Sequence, residues 1–164
     1  MPRTRVHYTT ILNMQTIMKK ITLLLLGLLA LHTAASADND ERAIPMKQLP
    51  KQAQQFVKTY FNDLKTAMIT QETDLFDKSY EVVFMNGDRV EFDRNGAWTE
   101  VKCRSGQAVP AAIVPEPIQN YVHDWDASVT ILGIERDKYS YEVQLSNRWE
   151  LTFDRNFNVI DIDD

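Results

Sequence analysis

Two segments of the chain have apolar side chains at the spacing of an amphipathic helix. The apolar positions of the first segment are Ala53, Phe56, Val57, Tyr60, Phe61 and Leu64. The second segment repeats the pattern more briefly, with Ile118, Tyr121, Val122 and Trp125. Proline is tolerated in the first turn of a helix, so Pro50 and Pro115 are the expected starts. The pattern predicts two helices, each with a single apolar face.

Each helical segment is followed by four short runs rich in β-branched and aromatic residues, with turn residues between them. The first set is residues 66–70, 78–86, 89–93 and 97–103, and the second is residues 128–135, 139–146, 148–154 and 158–163. The links are too short for parallel crossovers, which indicates antiparallel neighbours. Polar and apolar residues alternate, so one sheet face should pack on the helices while the other stays open or meets a partner.

The two halves of the chain repeat one another. Residues 80–102 and 141–163 align at an offset of 61, and eight of the 23 positions are identical. The helical segments align at an offset of 65, which pairs Gln54 with Gln119. The predicted fold class is therefore α+β: a tandem duplication of an α-β-β-β-β unit, with an antiparallel sheet, helices on one face and the other face open. The repeats are residues 44–103 and 109–163, and together they form one domain over residues 38–164.

The first 37 residues read as a signal peptide with an upstream extension, removed before folding. Met18-Lys19-Lys20 gives a short basic region, Ile21 to Leu31 is apolar, and Ala35-Ser36-Ala37 is a small-residue cleavage site. A transmembrane anchor is the alternative, but the apolar run is about half the length of a spanning helix. We therefore expect a periplasmic or secreted protein that begins at Asp38 and does not insert into the membrane after cleavage.

Charge and cysteine content narrow the class of protein. Four of the 18 basic residues and none of the 23 acidic residues lie in the first 37, which leaves 14 basic against 23 acidic residues and a net charge of −9. This balance argues against a nucleic-acid partner, because such surfaces need clustered lysine and arginine. The single cysteine, Cys103, excludes a disulfide framework within one chain.

The leader, the tandem α-β4 units and the doubled hairpin motif together point to a family. The motif is Phe92-Asp93-Arg94-Asn95 in the first unit and recurs at residues 153–156. In these features the chain resembles the PepSY-like proteins exported by Bacteroidetes-type bacteria, with a β-lactamase-inhibitor-protein-like fold. The resemblance covers residues 44–163 and implies an exported, non-catalytic protein. Relatives of this fold include protease propeptide modules and an inhibitor that grips its target with the open sheet face and the loops; the residues of that surface have no match here.

The candidate catalytic and metal-binding residues have simpler structural interpretations. Asp93 to Gly96 could begin a calcium loop, but the further oxygen ligands are missing, and a hairpin turn capped by Asp93 is expected. In the second copy Phe157 replaces Gly96, so Asn156 is the expected left-handed residue. His123 falls on the polar edge of its helix. We predict no catalytic, cofactor-binding or metal-binding residues.

Glu91 and Glu100 could in principle line a glycosidase cleft. Neither has an evident desolvating neighbour in the sequence, so exposed strand charges are the preferred interpretation. Cys103 is expected to be buried or to form an intermolecular disulfide, because a nucleophilic role would need a histidine partner.

The open face of the first unit differs from that of the second by its apolar side chains. Strand alternation predicts that Tyr80, Val82, Phe84, Val90, Phe92, Thr99, Val101 and Cys103 face the helix. The opposite phase gives a candidate interaction face formed by Val83, Met85, Arg89, Trp98, Glu100 and Lys102. An exposed tryptophan ringed by charges is typical of an interaction surface.

The sequence thus predicts a non-catalytic exported binding domain for an unknown protein of the cell envelope. It would act as an inhibitor or a chaperone-like module, as a monomer or weak dimer and without a cofactor. A periplasmic small-molecule binder is the first alternative, and a small hydrolase is the second.

Overall fold

Both helices begin directly after the prolines that the sequence singles out. The computed structural model describes residues 41–75, 77–104 and 106–164. Helix α1 spans Lys51–Tyr60 after Pro50, and helix α2 spans Glu116–Trp125 after Pro115. A one-turn 3-10 helix precedes each of them, at Met46–Gln48 and Ala111–Ile113. The predicted helix starts are therefore confirmed.

The strands form one antiparallel sheet in chain order. Their bounds are β1 Arg42–Ala43, β2 Thr66–Thr73, β3 Lys78–Phe84, β4 Arg89–Phe92, β5 Trp98–Lys102, β6 Ile131–Arg136, β7 Ser140–Leu145, β8 Glu150–Asp154 and β9 Val159–Asp163. Each strand pairs with the next along the chain. The predicted α+β class with an antiparallel sheet is confirmed, and β1 is a strand that the sequence pattern does not indicate.

Two equivalent glutamines tie each helix to the turn before it. The Gln54 Nε2 donates to the Leu49 carbonyl at 2.8 Å, and the Gln119 Nε2 donates to the Val114 carbonyl at 2.8 Å. Each bond satisfies a carbonyl that the one-turn helix leaves without a helical partner. This gives a physical reason for the glutamine that recurs at an offset of 65.

The core lies against one face of the sheet. A row of paired apolar side chains crosses six strands, and each of them is at most 1% exposed: Val82, Val90, Val101, Ile134, Val143 and Leu151. The helices contact aromatic residues of the sheet. Phe56 of α1 meets Phe92 edge-on at 5.6 Å, and Tyr121 of α2 meets Phe153 edge-on at 5.4 Å.

A β-bulge changes the face on which Trp98 lies. Glu91 pairs with Glu100, but the next residue, Phe92, pairs with Trp98, so Thr99 is the extra residue of β5. Trp98 therefore shares the side of the fully buried Phe92, and its ring centroid lies 6.3 Å from that of Phe56. The prediction that Trp98 leaves the sheet on the open side is wrong, because strict alternation fails at the bulge.

The same irregularity recurs in the second half. Thr152 pairs with Asp161 and Phe153 pairs with Val159, which makes Ile160 the extra residue of β9. Val159 consequently packs against the core, although strict alternation assigns it to the open face. The bulge is therefore a feature that both halves share.

Aspartate side chains organise the hairpin turns before β5 and β9. The Asp93 Oδ1 accepts the amides of Asn95 and Ala97 at 2.8 and 2.9 Å, and the Asp154 Oδ1 accepts those of Asn156 and Asn158 at the same two distances. These bonds confirm the predicted hairpin turn capped by Asp93. The left-handed residue of the second turn is Phe157, with φ of 66°, so the expectation of Asn156 is wrong.

The proposed signal peptide, residues 1–37, lies outside the described residues. Within the part of the chain that is described, neither helix has the length and apolar character needed to cross a membrane.

Candidate interaction surface

Five glutamates lie side by side on the sheet face opposite the buried valines. Each of them is paired with the next across neighbouring strands from β3 to β7, in the order Glu81, Glu91, Glu100, Glu135 and Glu142. Directly paired residues of an antiparallel sheet project from the same face, about 5 Å apart. We call these five residues the glutamate row and this side of the sheet the polar face.

Two cations of the neighbouring row form ion pairs with two members of the glutamate row, Glu81 and Glu100. Arg89 pairs with Lys102 across β4 and β5. The Arg89 Nη2 donates to the Glu100 Oε2 at 2.9 Å, and the Lys102 Nζ lies 3.1 Å from the Glu100 Oε1. The Arg89 Nη1 also lies 3.7 Å from Glu81. The Glu100 side chain is only 13% exposed, so its two cations partly replace the water that it loses.

Glu91 has the most perturbed carboxyl of the polar face. Burial, together with the hydrogen bond and charge of the neighbouring Glu100 and the charge of Glu81, raises the pKa of Glu91 to about 7 against the opposing charge of Arg89. Burial also acts to raise the pKa of Glu100, but the hydrogen bond and charge of Lys102 and the charge of Arg89 outweigh it and lower that pKa. The sequence expectation that neither carboxyl is desolvated is therefore wrong for both Glu91 and Glu100.

The second half extends the row with fewer cations. Burial raises the pKa of Glu142, and the charges of Glu150 and Glu135 raise it further. The row continues past Glu142 to Thr152 and Asp161. Sequence reasoning did not single out Glu135 as part of the surface, although it could have been found from its alternation with the buried Ile134.

The six residues of the predicted interaction face do not all lie on the same face of the sheet. Val83, Arg89 and Lys102 pair in one row, and Glu100 lies in the adjacent row of the same face. Met85 follows β3 and is 71% exposed.

Trp98, by contrast, lies between Phe56 and Arg136, whose guanidinium carbon is 3.9 Å from the ring centroid. The Arg136 Nε also donates to the Trp98 carbonyl at 2.8 Å. Trp98 is therefore a packing residue of the buried face. Val83, which is partly buried, remains as an apolar residue of the polar face.

The remaining candidate residues occupy ordinary structural positions. His123 is exposed on α2. Cys103 is buried, and burial together with the charge of Asp88 raises the pKa of its thiol to about 11. At that pKa the sulfur is a neutral thiol at physiological pH, which is the weak form of a nucleophile. Among the described residues, no three His, Cys, Asp or Glu side chains are placed to hold a metal ion.

One cavity on the polar face is lined by described residues and is small. It measures about 160 Å³, and its lining includes Glu72, Glu81 and Glu91. A pocket for a drug-sized ligand typically measures about 300–1,000 Å³. A larger concavity of about 670 Å³ runs beside α1, between Lys51 and Thr66, away from the glutamate row.

Comparison with known proteins places the chain in a family. Residues 36–76 and 78–161 match the family described as "beta-lactamase-inhibitor-like, PepSY-like". No curated protein matches the chain.

Three solved structures from Bacteroides are similar over 76% of this chain. A periplasmic protein from Bacteroides vulgatus is 55% identical, with a TM-score of 0.74 and 98% of its own chain covered. A protein from Bacteroides thetaiotaomicron described as calcium-regulated and periplasmic is 51% identical, with a TM-score of 0.74 and 98% covered. Another from Bacteroides vulgatus, periplasmic and of unknown function, is 29% identical, with a TM-score of 0.71 and 99% covered. This chain is therefore a periplasmic protein that belongs to the PepSY-like, β-lactamase-inhibitor-like family.

Proposed function

We propose that this protein is a non-catalytic binding module that presents its polar face to another protein of the cell envelope, as an inhibitor or a chaperone-like module. The glutamate row, in which Arg89 and Lys102 hold Glu81 and Glu100 by ion pairs, is the observation that carries the proposal. Ion-paired side chains on a sheet have little conformational freedom left to lose, so a partner that contacts them pays a smaller entropic cost. Charge arranged in rows also selects partners and their orientation.

The proposal includes a duplicated framework with both helices on one side. The sequence repeat, the two tied glutamines Gln54 and Gln119, and the two equivalent bulges support the duplication. The contacts of Phe56 with Phe92 and of Tyr121 with Phe153 support a common helix side, because both sheet residues belong to the buried face. The opposite side is then left for a partner.

The two alternatives have less support. A small-molecule site on the polar face would need more room than the cavity of about 160 Å³ provides. A glycosidase-like hydrolase could use Glu91, whose raised pKa suits a general acid. Glu100, however, is held by two cations, and the small cavity offers little space for a sugar ring.

A capture experiment with matched variants tests the proposal. The protein purified from the periplasm is immobilised, exposed to envelope extract, and the bound proteins are identified by mass spectrometry. The affinity of each captured protein is then measured for the parent and for Glu81→Lys/Glu135→Lys, which reverses two charges of the polar face. We expect the double variant to weaken binding by about tenfold or more, a free-energy change of about 1.4 kcal/mol.

The control is Glu116→Lys/Asp124→Lys, which makes the same change in net charge on the exposed surface of α2. It should bind like the parent. Equal weakening by both double variants would show that binding depends on overall charge and not on the polar face. If the protein hydrolyses ester, peptide or glycoside substrates and Glu91→Gln abolishes that activity, the protein is an enzyme and the proposal is wrong.

A further inference from the structure

Strand β9 is an edge of the sheet. It pairs with β8 on one side, and no described residue pairs with it on the other. An edge strand presents a line of backbone N–H and C=O groups that can pair with another chain. Natural edges are often protected by charged side chains, especially lysine, by proline, by β-bulges or by covering elements. Between Val159 and Asp163 there is no lysine or proline, the bulge lies at the start of the strand, and the charged residues are the aspartates Asp161 and Asp163.

The first half indicates how such an edge is completed. Strand β5 is the counterpart of β9 at an offset of 61, and β6 covers it. The Cys103 N–H donates to the Leu132 carbonyl at 2.7 Å, and Val101 pairs with Ile134. Residues of one strand alternate in the direction of their backbone groups, so Val101 and Cys103 both face β6. The equivalent residue of β9, Ile162, accordingly directs its N–H and C=O away from β8, and its N–H donates to the Oδ1 of the adjacent Asp161 at 3.1 Å, a bond that an added strand would replace.

The missing neighbour also leaves apolar surface uncovered. Val101, covered by β6, is fully buried, whereas its counterpart Ile162 is 40% exposed. Ile160, the bulge residue, is 61% exposed. A strand added beside β9 would bury part of the Ile162 side chain, as β6 buries Val101.

The negative charges of β9 determine which kind of strand can pair with its free edge. Asp161 and Asp163 lie on the polar-face side, Asp163 pairs with Glu150, and the chain continues to the exposed Asp164. A second β9 laid antiparallel to the first would bring aspartates towards aspartates, which destabilises a pair of strands. A segment with lysine or arginine at alternate positions meets these carboxylates favourably.

We propose that the β9 edge binds an extended basic segment of another protein as an added antiparallel or parallel strand. Its lysines or arginines lie beside Asp161 and Asp163, and its apolar residues lie beside Ile162. Strand addition of this kind takes its affinity from main-chain hydrogen bonds and its specificity from alternate side chains. Asp161 continues the line of the glutamate row on the polar face, but the added strand pairs with backbone groups of β9. Charge reversal at Glu81 and Glu135 therefore tests the polar face without altering the β9 edge.

The test uses a labelled peptide in which lysine alternates with valine over about seven residues, a typical strand length. The comparison peptide has glutamate in place of lysine. Fluorescence anisotropy with the protein purified from the periplasm should show at least about tenfold tighter binding of the lysine peptide. The Asp161→Lys/Asp163→Lys variant should reverse that preference, whereas Glu116→Lys/Asp124→Lys and Glu81→Lys/Glu135→Lys should keep it.

Backbone pairing is tested without changing the protein. Methylating the amides of alternate residues blocks one edge of the peptide, and methylating the others blocks the opposite edge. One methylated lysine peptide should bind and the other should not, and binding should slow hydrogen exchange of the Ile162 amide. The proposal is wrong if neither unmodified peptide binds, if both methylated peptides bind equally, or if β9 instead joins two copies of this chain in a concentration-dependent dimer that the Asp161→Lys/Asp163→Lys variant alters.

Discussion

Two turns show how single residues differ between the halves while the backbone stays the same. Gly87 and Gly96 have φ of 89° and 87°, and their counterparts at an offset of 61 are Arg148 and Phe157, with φ of 76° and 66°. Glycine adopts this left-handed region without steric cost, whereas a side chain is strained there. The second half therefore keeps the two turns with residues that fit them poorly.

Gly96 is predicted to be irreplaceable for a second reason. A Cβ at this position would lie 2.7 Å from the Cβ of Pro50 and 2.9 Å from the backbone nitrogen of Ala53. Gly96→Ala should therefore lower the free energy of unfolding by more than about 2 kcal/mol, since backbone strain of about 1–2 kcal/mol is added to the clash with α1. Urea unfolding followed by circular dichroism measures the loss.

Gly106→Ala is the matched control for this substitution. Gly106 has φ of 80°, and apart from its chain neighbours no described residue has an atom within 4 Å of where a Cβ would lie. The control should lose only about 1 kcal/mol, the cost of the strain alone. Equal losses in the two variants would show that the contact with α1 is unimportant.

Replacing Arg148 tests the strain directly. Arg148→Gly should raise the free energy of unfolding by about 0.5–1 kcal/mol, because relief of strain exceeds the added freedom of the unfolded chain. Thermal melting gives the change. Lys138→Gly, at an exposed position without a positive φ, should instead lower stability, and a stabilising effect there would remove the conformational explanation.

At the level of elements, alternation of apolar and polar residues predicts most of the structure but fails at the bulges. The phase of β3 and β4 is correct because each residue of those strands is paired in turn. Thr99 and Ile160 are extra residues of ordinary strand-forming types, so nothing in their chemistry marks them as bulges. The side assigned to Trp98 and Val159 is therefore wrong, and the glutamate row becomes visible only when strand neighbours are known.

Because Trp98 lies on the buried face, its replacement is expected to reduce stability. Trp98→Ala should lower the free energy of unfolding by about 3 kcal/mol, in the range of aromatic truncations in a core, because contacts with Phe56 and Arg136 are lost. Denaturant unfolding measures this. Tyr139→Ala removes an aromatic ring that is 71% exposed and should change stability by less than about 0.5 kcal/mol.

Binding through the polar face should survive the Trp98 substitution in protein that is still folded. If Trp98→Ala is as stable as the parent but no longer binds the envelope partner, Trp98 is part of the binding surface and its assignment to the core is wrong.

At the scale of the whole molecule, the glutamate row links stability to pH. The pKa of Glu91 is about 7 in the folded protein against an ordinary 4.5, so between these values the folded protein binds more protons than the unfolded chain. Stability should therefore be greater near pH 5 and fall as the pH rises through 7. The raised pKa of Glu142 acts in the same direction.

Glu91→Gln should remove most of this dependence. The variant should melt at a higher temperature than the parent at pH 8, where the parent has an ionised carboxylate in a partly buried site beside Glu100. Melting temperatures measured from pH 5 to pH 8 give both slopes, and Glu116→Gln, on the exposed start of α2, should follow the parent. Parallel slopes for the parent and Glu91→Gln would contradict the assignment of the proton to Glu91.

The order of the strands has a consequence for how the chain reaches its folded form. Because β1 to β9 follow one another in the sheet as they do in the sequence, each strand needs only the preceding one as its template. Such a topology has a low contact order for a β-rich protein, and low contact order favours rapid folding. A chain that enters the periplasm from its N-terminal end can therefore add one strand after another to a growing sheet, and β9 completes the sheet last.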